Sequence, residues 1–392
     1  MRDIKIKSLF DLICSKKHLL LALIVLLNFF TPTIATCQND TGLTIVGSIE
    51  TPDDAKSVYV SGNYAYVAAD DSGLQVIDII NPESPEIVGS LEMQNSGRAW
   101  FVQVSDGYAY VLSDLGDFQN PILSLEVIDI SDPENPAGVG YFGTQGSLRD
   151  LYVSGDYAYV VWEGTNPIGQ QQGGLKIIDI SDPEAPAKAS YTGTGMGAQG
   201  VYVSGNYAYV ADGGWSGLLI FDVSNPENPN NIGTLDIEYA TKVYASGNYA
   251  YVAGAGDLQV IEVSDPQNPQ TAGSVERSPG AQGMYVTGSY AYIAAYENGI
   301  DVINITDSQN PTLITTVDTP GKARDIFVSG SHAYVADNEG GLQIIDLSNL
   351  STVPDGGDGS DQTVNGDSTG TEPEVDEGVC FVESSIEGSL TF

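Results

Sequence analysis

The stretch VYVSGNYAYVA fills residues 58–68 and recurs unchanged at residues 201–211. Apolar and small or polar residues alternate on both sides of Ser-Gly-Asn, so the period is two and the centre is a tight turn. This is a β-hairpin signature. Aligning the chain on the Tyr-Ala-Tyr core finds the unit seven times, with central alanines at Ala65, Ala109, Ala158, Ala208, Ala250, Ala291 and Ala333. The intervals are 44, 49, 50, 42, 41 and 42 residues. A period of this size marks a solenoid, a propeller or an array.

Each unit holds four short runs. VYVSG and YAYVA come first, then a loop of variable length, then a run such as GLQVIDI. A proline-bounded turn such as SDPENP leads to a weaker fourth run such as PEIVGSLE. Four short strands joined by turns make one antiparallel blade. The seventh unit ends at GLQIIDLSNL (341–350) without a fourth run, whereas TGLTIVGSIETPDDAK near the N-terminus aligns with PTLITTVDTPGKAR (311–324), the sixth fourth strand and its sequel. The orphan strand therefore completes the last blade and removes an exposed edge. The predicted fold is all-β: a seven-bladed β-propeller of four-stranded antiparallel blades over 37–350, its ring closed by the N-terminal strand pairing into the last blade.

The third-strand cores are LQVIDI (74–79), LEVIDI (125–130), LKIIDI (175–180), LLIFDV (218–223), LQVIEV (258–263), IDVINI (300–305) and LQIIDL (342–347). In these motifs residues 43–350 resemble the LVIVD-repeat propellers of exported bacterial proteins. The resemblance implies the fold and a place at the cell surface or outside the cell, and it implies little about activity.

The flanks read differently. Five basic residues precede LLLALIVLLNFF (19–30) and then TPTIATC, the pattern of a signal peptide over 1–36, with an apolar core too short to span a membrane. Ile34-Ala35-Thr36-Cys37 also resembles a lipobox, which makes Cys37 a lipidation candidate. Residues 351–379 form a strongly acidic linker expected to be disordered, and 380–392 a short apolar end. Cys37 and Cys380 are the only cysteines left after the leader; they pair as a disulfide or serve as modification points. Without the leader the chain keeps 9 basic against 50 acidic side chains, a net charge of −41. That balance excludes nucleic acid as a partner held by bulk charge. A monomer with no transmembrane span is expected.

In an up-and-down blade, the links between blades share one face with the loops joining second to third strands. The near-uniform SGNY and SDPENP turns share the other. Divergent loops on a rigid ring mark the first face as functional. Trp100, Trp162 and Trp215 all map to it. So do seven of the nine remaining basic residues: Lys56, Arg98, Arg149, Lys242, Arg277, Lys322 and Arg324. Cations rimming a channel mouth, with tryptophans nearby, suit an anionic partner: an acidic protein segment or an anionic polysaccharide at the cell surface. Arg149 and Arg324, each followed by an aspartate, read equally well as bridges between blades.

Catalysis finds less support. The strand-end acids Asp78, Asp129, Asp179, Asp222 and Asp346 recur once per blade, as turn caps do. His332 stands where other units have the first tyrosine of Tyr-Ala-Tyr. No pair activates a nucleophile and no His/Cys cluster suits zinc. A hydrolase or lyase built on loop carboxylates (Asp70, Asp71, Asp114, Asp117, Asp212, Asp337) is the rival to a binding module, and a purely structural surface module is a third reading. Calcium held by those loops is allowed by composition but not marked by any spacing; no other cofactor is expected.

Overall fold

The computed structural model describes residues 42–352 apart from 116–121, 166–170, 196 and 215. The leader, Cys37, the acidic linker, Cys380, Asp117 and Trp215 lie outside the described residues. Seven four-stranded antiparallel sheets form the ring. Blades 1 to 6 span 57–91, 98–145, 147–195, 198–235, 242–276 and 283–317. Blade 7 joins Asp325–Ser329, His332–Ala336 and Leu342–Asp346 to the N-terminal strand Thr44–Ile49. Thr44 pairs with Asp346 and Ile49 with Leu342, so the ring closes as the sequence predicts.

The repeat's residue choices explain the blade. Gly62 turns the first strand into the second at φ +59°, where a Cβ would strain the backbone. Blade 2 uses Asp106 (φ 51°) and Gly107 (φ 83°) for the same job. The seven central alanines are all fully buried, and the second tyrosine of each core packs between blades. The first tyrosine is only half-buried, and His332 in blade 7 takes that outer place, its Nδ1 3.4 Å from Ser331 Oγ.

At the end of each third strand the carboxylate caps its turn. Asp78 accepts from the Ile80 N–H at 2.8 Å, Asp129 from Ser131 at 2.8 Å, Asp179 from Ser181 at 2.9 Å and Asp222 from Ser224 at 2.9 Å. Asn304 does the same for Thr306. Glu262, one methylene longer, instead accepts from the Ser264 hydroxyl.

The fourth strand carries a feature the repeat pattern left unread. In all seven blades it carries one extra residue opposite the same pair of third-strand residues, as Val88 opposite Val76 and Ile77, or Val46 opposite Ile344 and Ile345 in blade 7. The bulge reorients the strand so that the next residue faces the following blade's proline turn. That residue is glycine in five blades. A Cβ would lie 1.8 Å from the Pro82 carbonyl oxygen at Gly47, 2.2 Å from that of Pro133 at Gly89, 1.9 Å from that of Pro183 at Gly140 and 2.0 Å from that of Pro266 at Gly233. Where blade 3 has Ser190 instead, its hydroxyl donates to the Pro226 carbonyl at 2.6 Å. Every such seam therefore depends on direct contact between backbone and turn.

Gly233→Ala should force that seam apart at a cost of about 1–3 kcal/mol, lowering the melting temperature followed by circular dichroism. Ser190→Ala should cost about 1 kcal/mol, the lost hydrogen bond alone. An unchanged melting temperature for Gly233→Ala would remove the seam from the account of stability.

Candidate functional site

The first strands line the central channel, and strand register places four of the seven predicted basic residues in two rings. Ser57, Phe101, Asp150, Gly200, Lys242, Gly283 and Asp325 hold one equivalent position, each opposite the same residue of its second strand (Ala68, Leu112, Val161, Ala211, Ala253, Ala294 and Ala336). This position forms the throat of the channel. One residue earlier stand Lys56, Trp100, Arg149, Gln199, Thr241, Gln282 and Arg324, the rim. In blades 2, 3 and 4 the rim residue is bulged out of the ladder.

Most of the predicted cations are already engaged. Lys56 is 8% exposed, with Nζ 2.9 Å from Asp54, 3.2 Å from Asp70 and donating to Asn338 Oδ1 at 2.9 Å. Arg98 makes a two-point pair with Asp114 at 3.0 and 2.8 Å. Arg149 pairs with Glu163 of its own blade, not with a neighbour. Lys322 lies 4.0 Å from Glu339 and over the Tyr296 ring. Arg277 is not a rim residue at all: it is 7% exposed and donates to the carbonyls of Asp257, Gly254 and Ser278, holding the blade-5 loop. Arg324 differs from these. It stacks over Tyr296 at 5.0 Å and donates to Gln282 Oε1 at 3.3 Å, both in blade 6, so it does bridge blades. Its Nε has no hydrogen-bond partner, and no carboxylate of the described residues lies within ion-pair distance of it.

The two described tryptophans are not exposed plates on that face. Trp100 and Trp162 are half-buried. Lys56 and Arg98 lie 5.3 and 5.7 Å from the Trp100 ring, and Lys176 lies 3.9 Å from that of Trp162. The Lys176 ammonium also donates to Thr144 Oγ1 and the Gln145 carbonyl, and burial pushes its pKa down to about 8, with Lys188 adding to the effect. These cation–π contacts secure loops between neighbouring strands.

The throat holds the charges that face the channel. Lys242 reaches across side-chain-free Gly200 to Asp150 at 3.2 Å. Asp150 also accepts from the Val201 N–H of blade 4 at 3.1 Å. Asp325 repeats that step in blade 7, accepting from the Val58 N–H at 3.2 Å and the Ser57 hydroxyl at 2.7 Å. Ser57 Oγ in turn accepts from Val102 of blade 2 at 3.3 Å. The aspartates thus also bridge blades: Asp150 does so in place of Arg149 beside it, and Asp325 in addition to Arg324.

Below the throat, two residues on, Tyr59, Tyr152, Tyr202, Tyr244, Tyr285 and Phe327 form a collar. Consecutive ring centroids from Tyr152 round to Tyr59 are 4.4, 4.1, 5.7, 4.7 and 4.6 Å apart. Gln103 takes the seventh place. The Tyr202 ring packs between those of Tyr152 and Tyr244, at 4.4 and 4.1 Å. Burial raises all the collar phenols, that of Tyr285 to about 12, so they are neutral donors and acceptors at any physiological pH. Throat and collar enclose a cavity of about 290 Å³. The collar was legible as the middle residue of each VYV-like triplet, aromatic in six of seven units.

Four of the predicted loop carboxylates each have separate partners. Asp70 and Asp114 pair with Lys56 and Arg98, Asp337 accepts from Thr319 and the Gly321 N–H, and Asp212 from the Gly214 N–H. Among the described residues no group of three or more His, Cys, Asp or Glu side chains is placed to hold a metal ion.

The LVIVD repeat model matches residues 52–92, 96–144, 145–192, 195–236, 238–277, 280–319 and 320–353. The chain belongs to the LVIVD repeat family. No curated protein sequence matches it. Among solved structures, the computationally designed Ika8 protein is similar at 11% identity and a TM-score of 0.56, over 77% of this chain and 99% of that one. BamB from Moraxella catarrhalis is similar at 12% identity and a TM-score of 0.52, over 78% and 98%. At such identities the likeness is one of fold.

Burial in the throat raises the Asp325 carboxyl from 3.8 to about 6, against the opposing pull of Ser57, Lys242 and two backbone N–H groups. A folded value above the unfolded one means that the native state holds the proton more tightly. This group therefore adds stability as pH falls through about 6 towards 3.8, and opposes folding above that window. A carboxyl NMR titration should show a midpoint near 6 that disappears in Asp325→Asn. A midpoint at the ordinary 3.8 would mean that bulk water solvates the throat.

Proposed function

We propose that this propeller is a non-enzymatic binding module, exported to the periplasm, cell surface or medium, whose channel mouth receives a carboxylate-bearing polymer. The polymer is an acidic protein segment or an anionic polysaccharide. The observation that carries the reading is Arg324, a rim guanidinium with no carboxylate partner among the described residues, standing above a throat that also holds Lys242. The body around it is strongly acidic, with a net charge of −38 for the whole chain. A ligand therefore gains from Arg324 and Lys242 only at close range, which makes binding local and sensitive to salt. Export rests on the leader pattern, and no described helix is long and apolar enough to cross a membrane. The described loop carboxylates lend no support to the hydrolase or lyase alternative, because Asp70, Asp114, Asp212 and Asp337 are each engaged by separate partners.

Charge-assisted hydrogen bonds contribute about 1.5–3 kcal/mol, so Arg324→Glu should weaken binding to polyglutamate or polygalacturonate at least about tenfold. Biolayer interferometry at low and high salt reads this, with thermal stability close to that of the parent protein. Equal affinity of the variant, or no binding of either polymer at low salt, would overturn the reading.

A further inference from the structure

The throat and collar are chemically more specific than a positive rim. We infer that they form a pocket for a single hexuronic acid residue, the end of an anionic polysaccharide chain. The inference rests on the polymer reading above and narrows it to one ligand class.

Three features select that class. First, the throat carries both signs. Arg324 on the rim and Lys242 in the throat suit a carboxylate, but Asp150 and Asp325 stand in the throat beside Lys242. An acidic side chain would meet those two carboxylates with nothing to donate to them, and such like-charge contact is costly. A uronic acid brings its carboxylate together with hydroxyls that donate to aspartates, so one ligand satisfies both halves. Second, the collar lines the cavity with five tyrosines, each bringing a phenol hydroxyl. Neutral hydroxyls that both donate and accept match a polyol better than an ammonium or a bare anion. Their rings form apolar walls, and Gln103 adds an amide where the aromatic row is broken. Third, the cavity of about 290 Å³ is at the small end for ligand pockets. It accepts one sugar ring rather than an oligosaccharide laid flat, so recognition is end-on. A neutral hexose would leave the Arg324 edge unpaired, which disfavours it.

The test is calorimetric titration of the full-length mature protein with galacturonate, galactose and glutarate in parallel. Galacturonate should bind at one site, with galactose and glutarate each at least about tenfold weaker, since each lacks one charge-assisted or hydroxyl set. Arg324→Gln should weaken galacturonate about tenfold or more without changing the response to galactose. Tyr202→Phe keeps the ring and the packing, removes the hydroxyl of the middle ring in the Tyr152–Tyr202–Tyr244 row, and should weaken galacturonate several-fold. Its melting temperature reports whether the collar is intact. Glutarate binding as well as galacturonate, or galacturonate affinity unchanged in both variants, overturns the pocket. Polyglutamate binding through Arg324 with no galacturonate binding also overturns it and leaves the polymer reading standing. Galacturonate binding without polymer binding supports the pocket and overturns the polymer reading.

Discussion

The ring depends on a contact that involves almost no side chain. A glycine in the fourth strand of one blade lies against a proline carbonyl in the turn of the next, close enough that a single Cβ would collide with it. Neighbouring blades can share a dry interface of valines, isoleucines and tyrosines only if their outer edges approach to backbone distance. The bulge before each glycine supplies the needed turn of the strand, and the SDPxxP turn supplies a rigid surface. Blade 6 shows the same logic from the other side. Its fourth strand has Thr315 where others have glycine, and the facing turn in blade 7 is SNLS, without prolines.

Closeness at the outside sets the geometry at the centre. Seven first strands converge with their side chains alternating between blade and channel, so only every second residue can meet a ligand. Throat and collar, two residues apart, follow from that period. The rim residue just before the throat stands at the open mouth, where in three blades it is bulged out of the ladder. In the throat the repeat is broken most freely: serine, phenylalanine, two aspartates, lysine and two glycines occupy one equivalent position. The bond of Lys242 to Asp150 crosses the space that Gly200 leaves empty. The paired aspartates serve two ends, tying the next blade's first N–H and charging the channel. Structural staples thus double as polar groups of the cavity.

The carboxylates show how the same residue type carries opposite electrostatic roles. At the turns, Asp129, Asp179, Asp222 and Asp346 are exposed and accept local N–H bonds, which lower their pKa values; their contribution is present above the unfolded value and is lost as pH falls through the lowered one. In the throat Asp325 is lifted by burial, and its contribution runs the other way. An acidic chain of this kind is held by many small caps on its surface, while its channel retains a carboxyl lifted to about 6.

The sequence alone determined the seven units, the four-strand blade, the closing role of residues 44–49 and the capping aspartates. All of these follow from local periodicity and turn chemistry. It also located the face with divergent loops. Which cations on that face were available was decided only by tertiary structure, because pairing depends on neighbours far apart in the chain. Lys56 meets Asn338, Arg277 turns inward to carbonyls of its own blade, and Arg324 finds Tyr296 and Gln282 but no carboxylate. Lys242 and Arg149, alike in sequence position to within one residue, end in the throat and on the rim, because a period of two sends neighbouring side chains to different surroundings. The collar was written in every repeat as the residue between two apolar ones, but its meaning required seven copies brought around one axis.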